Sequence, residues 1–156
     1  MTTRRQVKRK GRPSIVSKKA KFKGITFDSG TEARYYKVLL GDPNVKHIEL
    51  QPVYRIIEPF EVECKRCRGA GKVVNEATGR LNKCSLCNGN GKRMKQGAIY
   101  TADFKVTYQD DYQEVIDVKG YADAKFPIRK KLFESTTGIE LIVVEFDAKN
   151  RQWVRK

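Results

Sequence analysis

Tyr100-Thr101-Ala102-Asp103-Phe104 and, after a short polar interval, Glu114-Val115-Ile116-Asp117-Val118-Lys119-Gly120 are the stretches whose reading decides the fold. In both, apolar and β-favouring residues alternate with polar ones, and Tyr108-Gln109-Asp110-Asp111-Tyr112-Gln113 between them has the composition of a turn. The expectation is a hairpin of two strands. Asp117 and Lys119 are two apart and share one face of their strand, with Asp103 on the strand opposite. Two carboxylates beside an ammonium make a metal site with a cation next to it, which is what hydrolysis of a phosphodiester asks for. The plainer reading of the same residues is a solvated hairpin face with cross-strand charge pairs. Their order, and the apolar Ile116 and Val118 interleaved with them, favour the first reading.

Upstream, Ser29 followed by Glu32 forms a capping box and predicts a helix from near Gly30. Ala33, Tyr36, Leu39 and Leu40 supply its apolar face, and Gly41-Asp42-Pro43 ends it. On this pattern alone Glu32 is a cap. Residues 45–59 read as strand material, with Pro52 marking an edge or a bend. His47, the only histidine, has no partner in sight and is read as structural or surface.

Taken in order, Glu32 on a helix, the Tyr-Thr-x-Asp-Phe run ending at Phe104 and the carboxylate-x-Lys-Gly run ending at Gly120 resemble the PD-(D/E)XK nuclease superfamily, and within it the small phage junction-resolving nucleases. The resemblance runs from about Gly24 to about Phe146, apart from a cysteine-rich interruption. Ala102 stands where the signature has Pro, a position that shapes the backbone and is not a ligand. The resemblance implies an α/β fold, a mixed central sheet flanked by helices in the restriction-endonuclease manner. It implies a Mg²⁺- or Mn²⁺-dependent endodeoxyribonuclease in which Asp103, Asp117 and Glu32 hold the metal and Lys119 assists the attacking water or the pentacovalent state. Within the superfamily it points to branched DNA such as a Holliday junction as substrate, and so to a homodimer that cuts two strands symmetrically.

The interruption carries the only internal repeat, Cys64-Lys65-Arg66-Cys67-Arg68-Gly69-Ala70-Gly71 and Cys84-Ser85-Leu86-Cys87-Asn88-Gly89-Asn90-Gly91. Two Cys-x-x-Cys pairs bring four thiolates to one tetrahedral zinc, and the glycines suit a chain turning tightly around a metal. Disulfides are disfavoured because nothing in the chain suggests export. A redox motif leaves the doubling and the paired glycines without a reason. The repeat looks like the zinc modules of J-domain co-chaperones, in fewer copies. The expectation is a small zinc-finger insertion over residues 61–96, too small to bury a core and stapled by metal. Between its ends it carries Lys65, Arg66, Arg68, Lys72, Arg80, Lys83, Lys92, Arg93 and Lys95 against Glu63 and Glu76. That charge makes it a finger on the DNA backbone, with Arg66 and Arg68 as contacts, ahead of a rigid extension or dimer contact.

After Gly120, Pro127 opens a second helix with Ile128, Leu132 and Phe133 as its apolar stripe, and Gly138 closes it. Lys125, Arg129, Lys130 and Lys131 make its other face basic. That face is either solvated or in contact with phosphates beside the active residues. Residues 139–146 read as an interior strand. Trp153 and Val154 either pack on the domain or stack on a partner.

The chain as a whole, 156 residues with a net charge of +15 and a pI near 9.8, is sized for one core-bearing domain with appendages and calls for a polyanionic partner. Ten of the basic residues, and no Asp or Glu, lie in residues 1–23, read as a flexible arm that neutralises phosphates or as a solubilising tail. Residues 24–156 are the nuclease domain around the insertion. No apolar run approaches membrane-spanning length and no signal peptide opens the chain, so the cytoplasm is expected, that of the bacterial host if a phage encodes it. The alternative to a nuclease is a non-enzymatic zinc-containing nucleic-acid-binding protein.

Overall fold

The computed structural model describes residues 18–120 and 124–156. Residues 1–17 of the expected arm, and the connector at 121–123, lie outside the described residues. In chain order the elements are Ala20–Phe22 (β1), Ile25–Phe27 (β2), Gly30–Gly41 (α1), Val45–Leu50 (β3), Val53–Ile57 (β4), Phe60–Glu63 (β5), Lys72–Val74 (β6), Leu81–Lys83 (β7), Lys92–Lys95 (β8), Ala98–Thr101 (β9), Phe104–Tyr108 (β10), Gln113–Lys119 (β11), Phe126–Thr137 (α2), Leu141–Asp147 (β12) and Gln152–Arg155 (β13). The fold is mixed α/β, mostly sheet, with two helices. β1 falls within the span expected as arm, and its Ala20 and Phe22 pack against the core.

A five-stranded sheet in the order β13-β12-β11-β10-β3 forms the centre. β11 and β12 run parallel, with α2 as the crossover between them, and every other neighbour is antiparallel, so the sheet is mixed. The alternation along β11 divides its side chains between two cores. Ile116 and Val118 face α1 and the β1/β2 hairpin, together with Phe104, Val106, Val144, Tyr35 and Leu39. Val115 faces α2, together with Val143, Leu141, Phe133, Tyr100 and Ile56. Each face of the sheet thus carries one helix and one small strand pair.

Three sequence expectations are corrected here. Tyr100 to Phe104 is not one strand: β9 pairs with β4, the chain breaks at Ala102 and Asp103, and β10 then enters the central sheet. Ala102 is fully buried at this crossing. In α1 Ala33 and Leu39 are buried as expected and Tyr36 is half-buried against Phe27 and Phe104, while Leu40 is exposed; Tyr35 takes its place in the buried face, ring to ring with Trp153 at 4.9 Å. In α2, Ile128 is 71% exposed, and the buried anchors are Phe126 and Phe133. Trp153 packs on the domain, between Tyr35 and Phe146.

The strand material at 45–59 divides at Gln51, which adopts φ +49°, and at Pro52, where a bend or edge is expected. β3 stays in the central sheet and β4 leaves it. β4 and β9 form the root of the finger and pack on α2, where the Thr136 hydroxyl donates to the Ile56 carbonyl at 3.2 Å. Beyond a neck at Pro59 and Gly97, β5 pairs with β8 and then β6 with β7. A Cβ on Gly97 would lie 1.9 Å from the Ile57 carbonyl oxygen, so the two backbones can cross there only at glycine.

Candidate functional site

The capping box forms as expected. The Ser29 hydroxyl accepts from the Glu32 N–H at 3.1 Å and donates to Glu32 Oε1 at 2.7 Å, while Glu32 Oε2 accepts from the Asp28 N–H at 3.1 Å. Glu32 is therefore a cap, and it is also buried, at 9% exposure, on the side of α1 that meets the sheet. With Asp103 and Gln51 it lines a cavity of about 100 Å³.

Asp103 sits at the break between β9 and β10, and the break aims it. Its N–H donates to the Ile116 carbonyl at 3.2 Å, its carbonyl accepts from the Gln51 N–H at 3.0 Å, and its Oδ2 accepts from the Val118 N–H at 2.6 Å. That carboxylate is thus held against β11 midway between Asp117 and Lys119 in sequence.

Asp117 points to the α2 face and is 3% exposed. Its Oδ1 accepts from the Tyr100 hydroxyl at 2.9 Å. Its Oδ2 forms an ion pair with Lys119 Nζ but has no aligned hydrogen bond. Lys119 Nζ also stands 4.4 Å from the centroid of the Phe126 ring, so the ammonium is held between a carboxylate and an aromatic face. Asp117 and Lys119 share a face, as their spacing requires.

The charges respond to this crowding. Burial, then the neighbouring Asp117 and the more distant Glu32, push the Asp103 carboxyl up to about 7, against the pull of the Val118 N–H and of Lys119. Burial and the same Asp117 charge raise the Tyr100 hydroxyl well above its ordinary value, so it stays a donor. The three carboxylates are neighbours rather than a closed cage: among the described residues, only the four cysteines form a group of three or more metal-binding side chains with ligand atoms all within 4.8 Å. At Lys119 a cleft of about 460 Å³ opens, lined also by Gly120, Thr31, Arg34 and the acidic Glu145.

In the finger, Cys64, Cys67, Cys84 and Cys87 are all buried and unbridged. Cys64 Sγ lies 3.8 Å from Cys84 Sγ, and Cys67 Sγ lies 3.6 Å from Cys87 Sγ. Sulfurs about 2.3 Å from a tetrahedral zinc stand about 3.8 Å apart, so the cluster is compatible with a structural zinc site. The N–H groups of Cys67 and Arg66 hold the Cys64 thiol down to about 6, and burial pushes Cys67 up to about 11. The repeat is reciprocal: the Cys64 N–H donates to the Gly91 carbonyl and the Cys84 N–H to the Gly71 carbonyl, both at 2.8 Å. A Cβ on Gly71 would lie 2.3 Å from the Gly89 carbonyl oxygen, and one on Gly91 2.2 Å from that of Gly69. The second glycine of each repeat is thus a close-approach requirement as well as a turn.

A family model matches residues 13–156, nearly the whole chain, under the description Protein of unknown function (DUF1064). The chain belongs to the DUF1064 family. Comparison with curated proteins and with solved structures gives no match. The matched span takes in both the carboxylate site and the finger, so in this DUF1064 chain they belong to one family unit.

The remaining sequence candidates of this DUF1064 protein divide. Arg129 lies near enough to Tyr100 for its charge to pull the hydroxyl downward, which puts this part of α2 on the Asp117 side of the sheet. Lys125 and Lys131 are exposed on the same helix. Lys130 instead pairs with Glu134 at 3.7 Å, whose Oε1 accepts from the Leu141 N–H. Arg66 donates to the Ser85 hydroxyl at 2.7 Å, and Arg68 is exposed beside it.

Sequence reasoning missed Tyr100 and Phe126 as partners of the site. Tyr100 carried a usable signal, an aromatic with a polar tip three residues before Asp103. Phe126 carried one in its place directly before the helix-opening Pro127. No described helix is long and apolar enough to cross a membrane.

Proposed function

We propose that this DUF1064 protein is a metal-dependent endonuclease that hydrolyses phosphodiester bonds in DNA, with branched DNA such as a four-way junction as its substrate. The observation that carries the reading is the adjacency of Asp103, half-buried and crowded by the charge of Asp117, to the buried Asp117, with Lys119 paired to the second. Two neighbouring carboxylates against one ammonium leave negative charge that a divalent cation would offset.

The residues suit a hard divalent ion. Asp117 Oδ2 is buried without a hydrogen bond, and burial and then the Asp117 charge hold the Asp103 carboxyl above its ordinary range. Asp103 and Asp117 would hold Mg²⁺ or Mn²⁺, with Glu32 completing the site directly or through water. When bound, the ion lowers the pKa of a water and offsets charge building on the phosphate. The chain's own residues do the rest. Tyr100 and the Val118 N–H fix the two carboxylates. Lys119 donates to a phosphate oxygen or orients the attacking water. Arg34 and Thr31, in the cleft beyond Lys119, and the basic side chains of α2 are placed to seat the backbone of the strand being cut. The cysteine cluster would hold a structural zinc, with no open coordination position for chemistry. Symmetric cutting of a junction requires two such sites, and so a homodimer.

The test is cleavage of end-labelled four-way junction and matching linear duplex with Mg²⁺. Paired cuts at the junction support the reading. Equal nicking of linear duplex removes the preference for branched DNA and keeps the nuclease. Tight, salt-sensitive binding with no cleavage replaces it by a zinc-containing DNA-binding protein.

A further inference from the structure

The finger tip carries an arrangement that neither the carboxylate site nor the cysteine cluster explains. β6 and β7 pair with Lys72 opposite Lys83, Val73 opposite Asn82 and Val74 opposite Leu81. Val73 packs on the thiol cluster, so its neighbours two by two face the other way. That outer face therefore consists of two lysines side by side and two apolar side chains side by side. Val74 is 61% exposed and Leu81 66%. Like charges directly opposite one another weaken a strand pair, and among the described residues neither lysine forms an ion pair. By contrast Lys92, on the stem, is paired with Glu61 at 3.0 Å.

The connecting loop is closed by hydrogen bonds of Asn75: its N–H donates to the Arg80 carbonyl at 2.8 Å, its carbonyl accepts from the Gly79 N–H at 2.7 Å, and its Oδ1 accepts from the Ala77 and Thr78 N–H groups. The short hairpin, with the thiols at one end and the Asn75 loop at the other, presents the apolar pair on its outer face.

We infer that this face of the finger tip is a DNA branch-point reader, in which Lys72 and Lys83 neutralise phosphates and Val74 and Leu81 rest on base faces left unstacked where helices meet. The inference rests on the nuclease reading for its choice of branched DNA. Apolar wedges on basic scaffolds hold distorted duplexes in this way, because an unstacked base offers an apolar face that a stacked one hides. Two apolar side chains are too little surface to anchor the protein on a lipid bilayer, and the lysines beside them, unpaired among the described residues, call for a polyanion.

The experiment uses the full-length zinc-loaded protein without added divalent metal, so that binding is read in the absence of cleavage. Three labelled probes are titrated over a range of salt: linear duplex, the same duplex with a bulge, and a four-way junction. Val74→Ser/Leu81→Ser should weaken binding to bulge and junction about tenfold and leave linear duplex unchanged. Lys72→Gln/Lys83→Gln should weaken all three and flatten the salt dependence by about two in the log–log slope, one for each phosphate contact. Zinc content is measured for each variant, so that a misfolded finger is recognised. Unchanged binding by either pair overturns the inference, as does an equal loss on linear duplex in the apolar pair. Binding to vesicles of anionic phospholipid that the apolar pair alone abolishes would replace DNA by a membrane. The nuclease reading fails separately, by absence of Asp117-dependent cleavage with Mg²⁺, whatever the tip variants do to binding.

Discussion

The Tyr100 hydroxyl donates to Asp117 Oδ1 at 2.9 Å across the boundary between the root of the finger and the central sheet. Tyr100 belongs to β9 and Asp117 to β11, and the two strands are in different sheets. This hydrogen bond ties the root of the finger to the carboxylate site and fixes the orientation of the Asp117 carboxylate.

Tyr100→Phe removes that donor with almost no change in packing volume. Loss of an outer hydrogen bond to a metal-holding carboxylate costs about 10–100-fold in metal affinity or activity. The expected result is a higher Mg²⁺ requirement for DNA cleavage with unchanged DNA affinity, read by titrating Mg²⁺ at saturating junction. Thermal unfolding of the variant should stay within a few degrees of the parent.

Asp103 gives a pH signature. Its carboxyl is raised to about 7 in the folded chain from an ordinary value of 3.8. Between about pH 4 and 7 the folded state holds a proton that the unfolded state has lost, so stability falls as pH rises through that window. Asp103→Asn keeps an acceptor for the Val118 N–H and removes the charge. It should match the parent below pH 4 and exceed it in stability above pH 7. Chemical denaturation at several pH values, without added divalent metal, checks the sign, and added Mg²⁺ should narrow the difference.

How much of this was legible depends on how local each feature is. The cap at Ser29 and Glu32 and the doubled cysteine motif are written in residues a few positions apart, and both formed as read. The shared face of Asp117 and Lys119 follows from the two-residue period of a strand. The break at Ala102 and Asp103 was not legible, because alternation continues through it from Ala98 to Tyr108. What ends β9 there is its pairing with β4, more than 40 residues earlier, set by a finger root that packs on α2. The Tyr100–Asp117 bond depends on the same long-range event. Ile128 misled because helical spacing identifies an apolar stripe without saying whether a sheet lies beneath all of it.

Cys84→Ser removes one of four ligands from a site with no spare donor among the described residues. Zinc content measured on the purified protein should fall from a single equivalent per chain to a small fraction of it. The β5/β8 stem should become protease-sensitive while α1, α2 and the central sheet, whose cores contain none of the four cysteines, keep their circular dichroism.

Gly91→Ala probes the reciprocal packing of the two repeats. The added Cβ meets the Gly69 carbonyl oxygen at 2.2 Å, at a φ of +73°. A left-handed backbone and a backbone clash together cost on the order of 1–3 kcal/mol or more. Competition with a chromophoric zinc chelator should show weaker retention of zinc than in the parent, whereas Gly79→Ala, strained alike at φ +68° but meeting nothing within 4 Å, separates the clash from the backbone strain and should retain more zinc than Gly91→Ala.

The most direct measurement is cleavage of labelled four-way junction by the parent and by Asp117→Ala, with Mg²⁺, alongside their binding to the same DNA. A mutant is preferable to a chelator, which would also strip zinc from the cysteines. Paired cuts by the parent that vanish in Asp117→Ala, with junction affinity retained, are the result expected of a nuclease centred on Asp103, Asp117 and Lys119. Equal cutting by both proteins, or cutting by neither with equal binding, would contradict it.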